Sequence, residues 1–131
     1  MNDCVFCKII REEIPSAKIY EDADVLAFLD IKPVNPGHTL LIPKAHFEKM
    51  TGTPDKVVGD LFITAKKLMG ALKNVTAADY VALSVIGIDV PHFHIHLIPR
   101  YFNDGLASFW PTKKYKEGEI FEMAKKIKQS L

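Results

Sequence analysis

The sequence predicts an α+β fold, an antiparallel sheet of about five strands with one long helix and a C-terminal helix. Three features carry that expectation. Runs of strand-forming residues follow one another at hairpin-length spacing, one long stretch of helical periodicity interrupts them, and the chain ends in an amphipathic run. With no internal repeat and no low-complexity linker, residues 1–131 read as one domain.

Val5 to Arg11 has the composition for a short helix, ended before Ile14-Pro15 because a residue preceding proline is pushed out of the helical region. Ala17 to Glu21 alternates weakly, and Asp24 to Asp30 is a compact apolar run. The acidic Glu21-Asp22-Ala23-Asp24 between them reads as a hairpin turn. Two prolines and a glycine in Ile31 to Gly37 forbid regular structure and deliver the chain into a third strand, His38 to Pro43. Pro54 to Lys73 is the long helix: Val57, Leu61, Ala65, Leu68 and Leu72 step by three and four, with Thr53 as N-cap and Pro54 at the first helical position. Val58, Phe62 and Met69 make a second stripe, which fits either a broad core face or contact with another subunit. Asp79 to Ile86 is a fourth strand. Arg100 to Trp110 looks irregular. Glu117 to Leu131 closes the chain as a helix with Lys125, Lys126 and Lys128 near its negative end, a solvated face.

The fifth strand carries the chemistry. His92, His94 and His96 alternate with Phe93, Ile95 and Leu97, a period of two that puts imidazoles on one face and apolar residues on the other. Same-face neighbours on a strand stand ~6.5–7 Å apart. Pro91 and Pro99 bound the stretch, so pairing should run from His92 to Ile98. The row admits three readings: ordinary histidines on a half-exposed face, a three-histidine metal centre, or a catalytic set in which imidazole serves as nucleophile or general acid and base. The first fits poorly a chain with five histidines in all, and in the second the third ring lies too far along to close easily on one ion.

Lys and Arg number 17 against 16 Asp and Glu, so no global field points to nucleic acid or an anionic membrane. The first residues lack the pattern of a signal peptide, and no apolar stretch approaches the ~20 residues that span a bilayer. The expected setting is cytoplasmic. Both cysteines lie in Cys4-x-x-Cys7, which in a reducing compartment leaves metal binding, redox work or no role.

The run His92-Phe93-His94-Ile95-His96-Leu97-Ile98 matches at every position the signature of the histidine triad (HIT) family. Phe28-Leu29-Asp30-Ile31, the stretch Pro36 to His46 and the opening Cys4 to Ile10 also resemble that family, specifically its zinc-containing bacterial branch of purine nucleoside phosphoramidases. The resemblance implies that His94 attacks the α-phosphorus of an adenosine-type phosphoramidate or dinucleoside polyphosphate and carries a nucleotidyl group until water releases it. It implies that His96 and His38 assist at the phosphate and that Asp30 binds the ribose hydroxyls. Phe6, Phe28, Ile31 and Leu40 would sandwich the base. It further implies a structural zinc on Cys4, Cys7, His46 and His92, and a homodimer formed through the long helix and a sheet edge. From position alone, Asp30 has a turn-capping role as its alternative, and the four apolar residues could equally be plain core.

One segment departs from the pattern. Members place an Asn and a Gly-Gln-Ser/Thr-Val run before the triad, whereas this chain has Ser84-Val85-Ile86-Gly87-Ile88-Asp89-Val90-Pro91, with Ile88 and Asp89 at the Gln and Ser/Thr positions. A carboxylate beside a phosphate is repulsive, so either the leaving group carries positive charge or Asp89 serves only the turn. The lost amides also leave room for an alternative, a nucleotide-binding sensor or adaptor with little turnover.

Overall fold

The computed structural model describes residues 3–131. Its elements are α1 (Val5–Ile10), β1 (Lys18–Glu21), β2 (Val25–Leu29), β3 (Thr39–Pro43), a 3-10 turn (Met50–Gly52), α2 (Asp55–Thr76), β4 (Tyr80–Ser84), β5 (Ile95–Arg100) and α3 (Glu119–Ser130). The strands form one antiparallel sheet in the order β1-β2-β3-β5-β4. The expected α+β architecture is therefore present, with the helix and strand positions foreseen from periodicity.

Both faces of the sheet are covered, which explains why β2 and β3 read as continuous apolar runs with no polar alternation. Val25, Ala27, Leu41, Ile95 and Leu97 turn to α2, where Leu61, Ala65, Leu68 and Leu72 receive them. Leu26, Phe28, Leu40 and Ile42 turn the other way, against Phe6, Cys7 and Ile9 of α1. The second stripe of α2 also packs on this core: Val58, Phe62 and Met69 are partly buried against the α2-side cluster. The β1–β2 connection is the expected acidic turn, with Asp22 Oδ1 accepting from the backbone N–H of Asp24 at 2.8 Å and of Val25 at 2.9 Å.

Three details depart from expectation. The N-cap of α2 is Pro54, and Thr53 closes the preceding turn by donating from its hydroxyl to the Lys49 carbonyl at 2.8 Å. At the other end Ala77 takes the left-handed conformation, φ 56°, a role usually given to glycine. Strand pairing on β5 starts at Ile95, so His92 and His94 lie just ahead of it, and Pro99 sits inside the strand opposite Val81. The reason is local. The ladder to β3 stops at Leu97 opposite Thr39, short of Pro99, and the Pro99 carbonyl on that side accepts from the Asn35 amide at 2.8 Å. An extended residue points N–H and C=O the same way, so the donor that proline lacks faces a place where no strand asks for it.

Below Pro99 the irregular stretch from Tyr101 is pinned by Arg100, whose guanidinium grips Asp104 at 2.7 and 3.2 Å. That pairing, with N–H donors from Tyr101, Leu106 and Asn35, holds the Asp104 carboxyl far below the usual carboxylate range. Gly37 brings the chain into β3 with φ 97°, and a Cβ there would stand 3.1 Å from both Pro99 Cγ and Thr76 Cγ2. Only glycine fits both the torsion and the gap. Its neighbour His38 is thereby delivered to the sheet at a fixed angle.

Candidate active site

The triad histidines do not form one row. His92 turns to the N-terminus, where Cys4 and Cys7 of α1 and His46 from beyond β3 meet it with all four donor atoms within 4.8 Å of one another. Its Nδ1 lies 3.4 Å from Cys4 Sγ, 3.6 Å from Cys7 Sγ and 3.2 Å from His46 Nδ1, and His46 Nδ1 is 3.3 Å from Cys7 Sγ. The partner of the other ring nitrogen fixes the tautomer: Nε2 stands 2.8 Å from the Pro43 carbonyl, which can only accept, so the proton is on Nε2 and the Nδ1 lone pair aims into the cluster.

A tetrahedral zinc, with bonds of about 2.3 Å to sulfur and about 2.05 Å to nitrogen, spaces N–N ligand pairs by roughly 3.3 Å and S–N pairs by roughly 3.6 Å. The donor set therefore fits the ion that the family resemblance implies. Burial, reinforced by the adjacent Cys4 thiol, pushes the Cys7 thiol up from its ordinary value; a dication amid the donors would supply the opposing charge that thiolate ligands need.

His94 and His96 belong to a second cluster. Their ring centroids are 4.9 Å apart, closer than strand spacing gives, because His94 is off the regular ladder. His96 sits opposite Leu40 on one side and Ser84 on the other. Phe6 packs against both clusters, its centroid 5.9 Å from His92 and 5.1 Å from His94, both T-shaped.

Hydrogen-bond partners assign the tautomer of all three neutral rings here. His94 Nδ1 is 2.7 Å from the His92 carbonyl, so it donates, and its Nε2 keeps a free lone pair. His38 Nδ1 accepts from the Val34 backbone N–H at 3.0 Å, so the neutral ring carries its proton on Nε2. That Nε2 lies 2.9 Å from His96 Nδ1 and donates to it, which leaves the His96 proton on Nε2. One Nε2 is thus a lone pair and the neighbouring Nε2 a donor. Both atoms are buried, and neither makes a hydrogen bond. Burial pulls His38 and His96 below the ordinary imidazole range, which keeps this neutral arrangement; Asp30 opposes the shift at both rings, and Asp89 also opposes it at His96.

Asp30 serves two ends. Oδ1 accepts from the Lys32 N–H at 2.9 Å, the turn-capping use, while Oδ2 points back toward His38 Nε2 at 3.8 Å. Phe6, Phe28 and Leu40 are buried together on the α1 side, with Phe6 and Phe28 edge-to-face at 5.5 Å. Ile31 stands apart, 91% exposed. Two participants were not assigned from sequence. The Val34 N–H, which sets the tautomer relay, is a backbone group that no motif marks. Asp89 was visible as an oddity of the triad approach, and its carboxylate comes to 3.4 Å from His94 Nε2, outside hydrogen-bond geometry. Among the described residues no helix is long and apolar enough to cross a membrane.

Known proteins place the chain among relatives. Residues 11–103 match the family model described as the HIT domain. A HIT-like protein of Borreliella burgdorferi is 43% identical over 93% of this chain and 93% of its own. The adenosine 5'-monophosphoramidase HNT1 of Saccharomyces cerevisiae is 40% identical over 95% of this chain and 80% of its own. Among solved structures, a HIT family member from Bacillus subtilis superposes with a TM-score of 0.88 at 38% identity, covering 98% of this chain and 97% of that one. A zinc-bound histidine triad family protein from Mycobacterium smegmatis superposes with a TM-score of 0.77 at 29% identity, over 99% of both chains. With its triad, its sheet and these relatives in agreement, the chain belongs to the histidine triad family.

Proposed function

We propose that the protein hydrolyses or transfers nucleotides by cleaving adenosine-type substrates at the α-phosphate, phosphoramidates or dinucleoside polyphosphates, through a nucleotidyl intermediate on His94. The observation that carries this reading is the pair of buried Nε2 atoms in opposite states, a lone pair on His94 beside an N–H on His96. The activity named for the yeast relative supports it.

In the first step the His94 Nε2 lone pair forms a bond to phosphorus while the bond from phosphorus to the leaving group breaks. A leaving amine takes its proton from solvent. The His96 N–H donates to a phosphate oxygen, where charge grows in the transition state, and a donor already in place needs no reorganisation. His38 cannot act as a proton wire, because behind it stands a backbone amide that gives up no proton. It is a positioning residue for the His96 tautomer. In the second step water attacks phosphorus, the bond to Nε2 breaks with its electrons returning to nitrogen, and the proton of water passes to solvent. Asp30 would take the ribose hydroxyls, and Phe6, Phe28, Ile31 and Leu40 the base.

Cys4, Cys7, His46 and His92 would hold zinc as a closed structural site, away from the reacting atoms. A reducing cytoplasm suits ligand thiols that must stay unpaired, and both cysteines are free. A homodimer belongs to the same reading, with the long helix α2 and the edge strand β4 as the contact.

The test is rapid quench of the enzyme with adenosine phosphoramidate labelled at phosphorus. Acid-labile label on the protein is expected in the parent and absent in His94→Gly, with kcat/KM reduced by about three orders of magnitude or more. Label retained by the mutant, or binding without release of AMP by the parent, would refute the assignment.

A further inference from the structure

The loop between β4 and β5 places a carboxylate where a phosphate has to arrive. Asp89 Oδ1 lies 3.4 Å from His94 Nε2, within the ~3–3.5 Å range at which a reacting phosphorus would approach that nitrogen. The other carboxylate of the site, Asp30, is 3.8 Å from His38 Nε2, and among the described residues neither is paired with a lysine or arginine. The buried imidazoles His38 and His96 are held toward the neutral form. Beside His94 the same loop walls a cavity of about 270 Å³, lined among others by Glu48, Lys49, Met50, Val85 and Ile88, large enough for a group the size of an amino-acid side chain. Glu48 and Lys49 carry opposed charges, whereas Asp89, on the β4–β5 loop but outside the cavity lining, has no cationic side chain paired with it among the described residues.

From this we infer that Asp89 is a specificity-determining residue that selects substrates whose leaving group carries a positive charge. The inference deepens the proposed function and rests on it. The Asp89 side chain is 61% exposed and is held by one hydrogen bond, from the Val90 backbone N–H to Oδ1 at 3.0 Å, which the carboxylate gives up as it swings off the Nε2 axis when phosphorus arrives. The leaving group then departs from the far side of phosphorus, still within several ångström of the carboxylate. An ammonium there gains from the carboxylate, whereas a pyrophosphate, sulfate or carboxylate is repelled. Exposure keeps the effect modest, about five- to tenfold for one charge at that range.

Three adenosine phosphoramidates of matched length test this, with leaving amines ending in an ammonium, a methyl and a carboxylate. In the parent, kcat/KM should fall in that order by about tenfold or more from first to last, and the spread should shrink with added salt. Asp89→Asn should bring the three values together and Asp89→Glu should restore the order. An unchanged spread in Asp89→Asn, or a parent that favours the carboxylate, overturns the inference while turnover of the methyl compound leaves the proposed function standing. If no compound is turned over, that function fails, and the same three compounds become ligands: equal affinities in the parent then overturn the Asp89 role separately.

Discussion

His38 and His96 occupy positions where burial disfavours the imidazolium, with Asp30, Asp89, His38 and His94 as the groups facing His96. A folded-state pKa below the unfolded value means that the unfolded chain binds protons first on acidification. Their contribution to stability is therefore complete above about pH 6.5 and is lost as pH falls through the lowered folded values. The kinetics follow the same direction. Protonation of His96 puts a hydrogen on Nδ1 against the His38 N–H, so the acid limb of kcat/KM should lie below pH 6.5. Asp30 raises both pKa values, and Asp30→Asn should move that limb further toward acid, whatever it does to the height of the profile. A limb that stays put, or moves toward neutrality, contradicts the relay. At this scale the sequence was informative about identity and silent about state. The expectation that His94 attacks came from the triad resemblance, but the tautomer of each ring depends on carbonyls of His92 and Pro43 and on the Val34 N–H, partners that appear only when distant backbone segments meet.

Among the elements, α1 has the least intrinsic support. Six residues make fewer than two turns, far below the length at which a helix stands alone, so Val5–Ile10 is held by what it docks against. Phe6, Cys7 and Ile9 are buried on the sheet, and the two sulfurs reach His46 and His92. Cys4→Ser should therefore lower the zinc content of the purified protein from about one per chain toward zero and reduce the melting temperature by several degrees, since lost metal ligation removes folding free energy. Unchanged metal content by plasma mass spectrometry would refute the ligand set. The sequence located this helix and every strand, because hydrophobic period and turn residues are local properties. It misplaced the start of β5 and the role of Pro99, because whether a strand position needs an N–H donor is decided by where the neighbouring strand stops. Thr39 and Asn35 make that decision from more than fifty residues away in sequence.

Across the molecule the two ends of the chain are treated differently. The N-terminal segment is locked onto the sheet, while α3 buries none of its residues and leaves Phe121 and Ile127 exposed at 78% and 53%. Beside the edge strand β4 lies a cavity of about 870 Å³ lined by Tyr80, Ala82, Ile98, Phe102, Phe109 and Trp110. Trp110 and Phe109 are themselves 83% and 86% exposed, an apolar patch of the kind that marks association. A second copy covering this flank predicts a dimer by light scattering, with Trp110→Asp weakening it by about tenfold or more. A parent that stays monomeric at micromolar concentration would rule the arrangement out.

The position of Phe6 has a consequence for metal tolerance. Five imidazoles crowd one end of the sheet in two clusters, and the ring of Phe6 packs against one member of each, His92 and His94. Asp89, His94 and His96 also bring donor atoms within 4.8 Å of one another, so under the proposed function a divalent cation there would compete for the lone pair that attacks phosphorus. Excess zinc should therefore compete with substrate at His94, an inhibition that a weak chelator relieves.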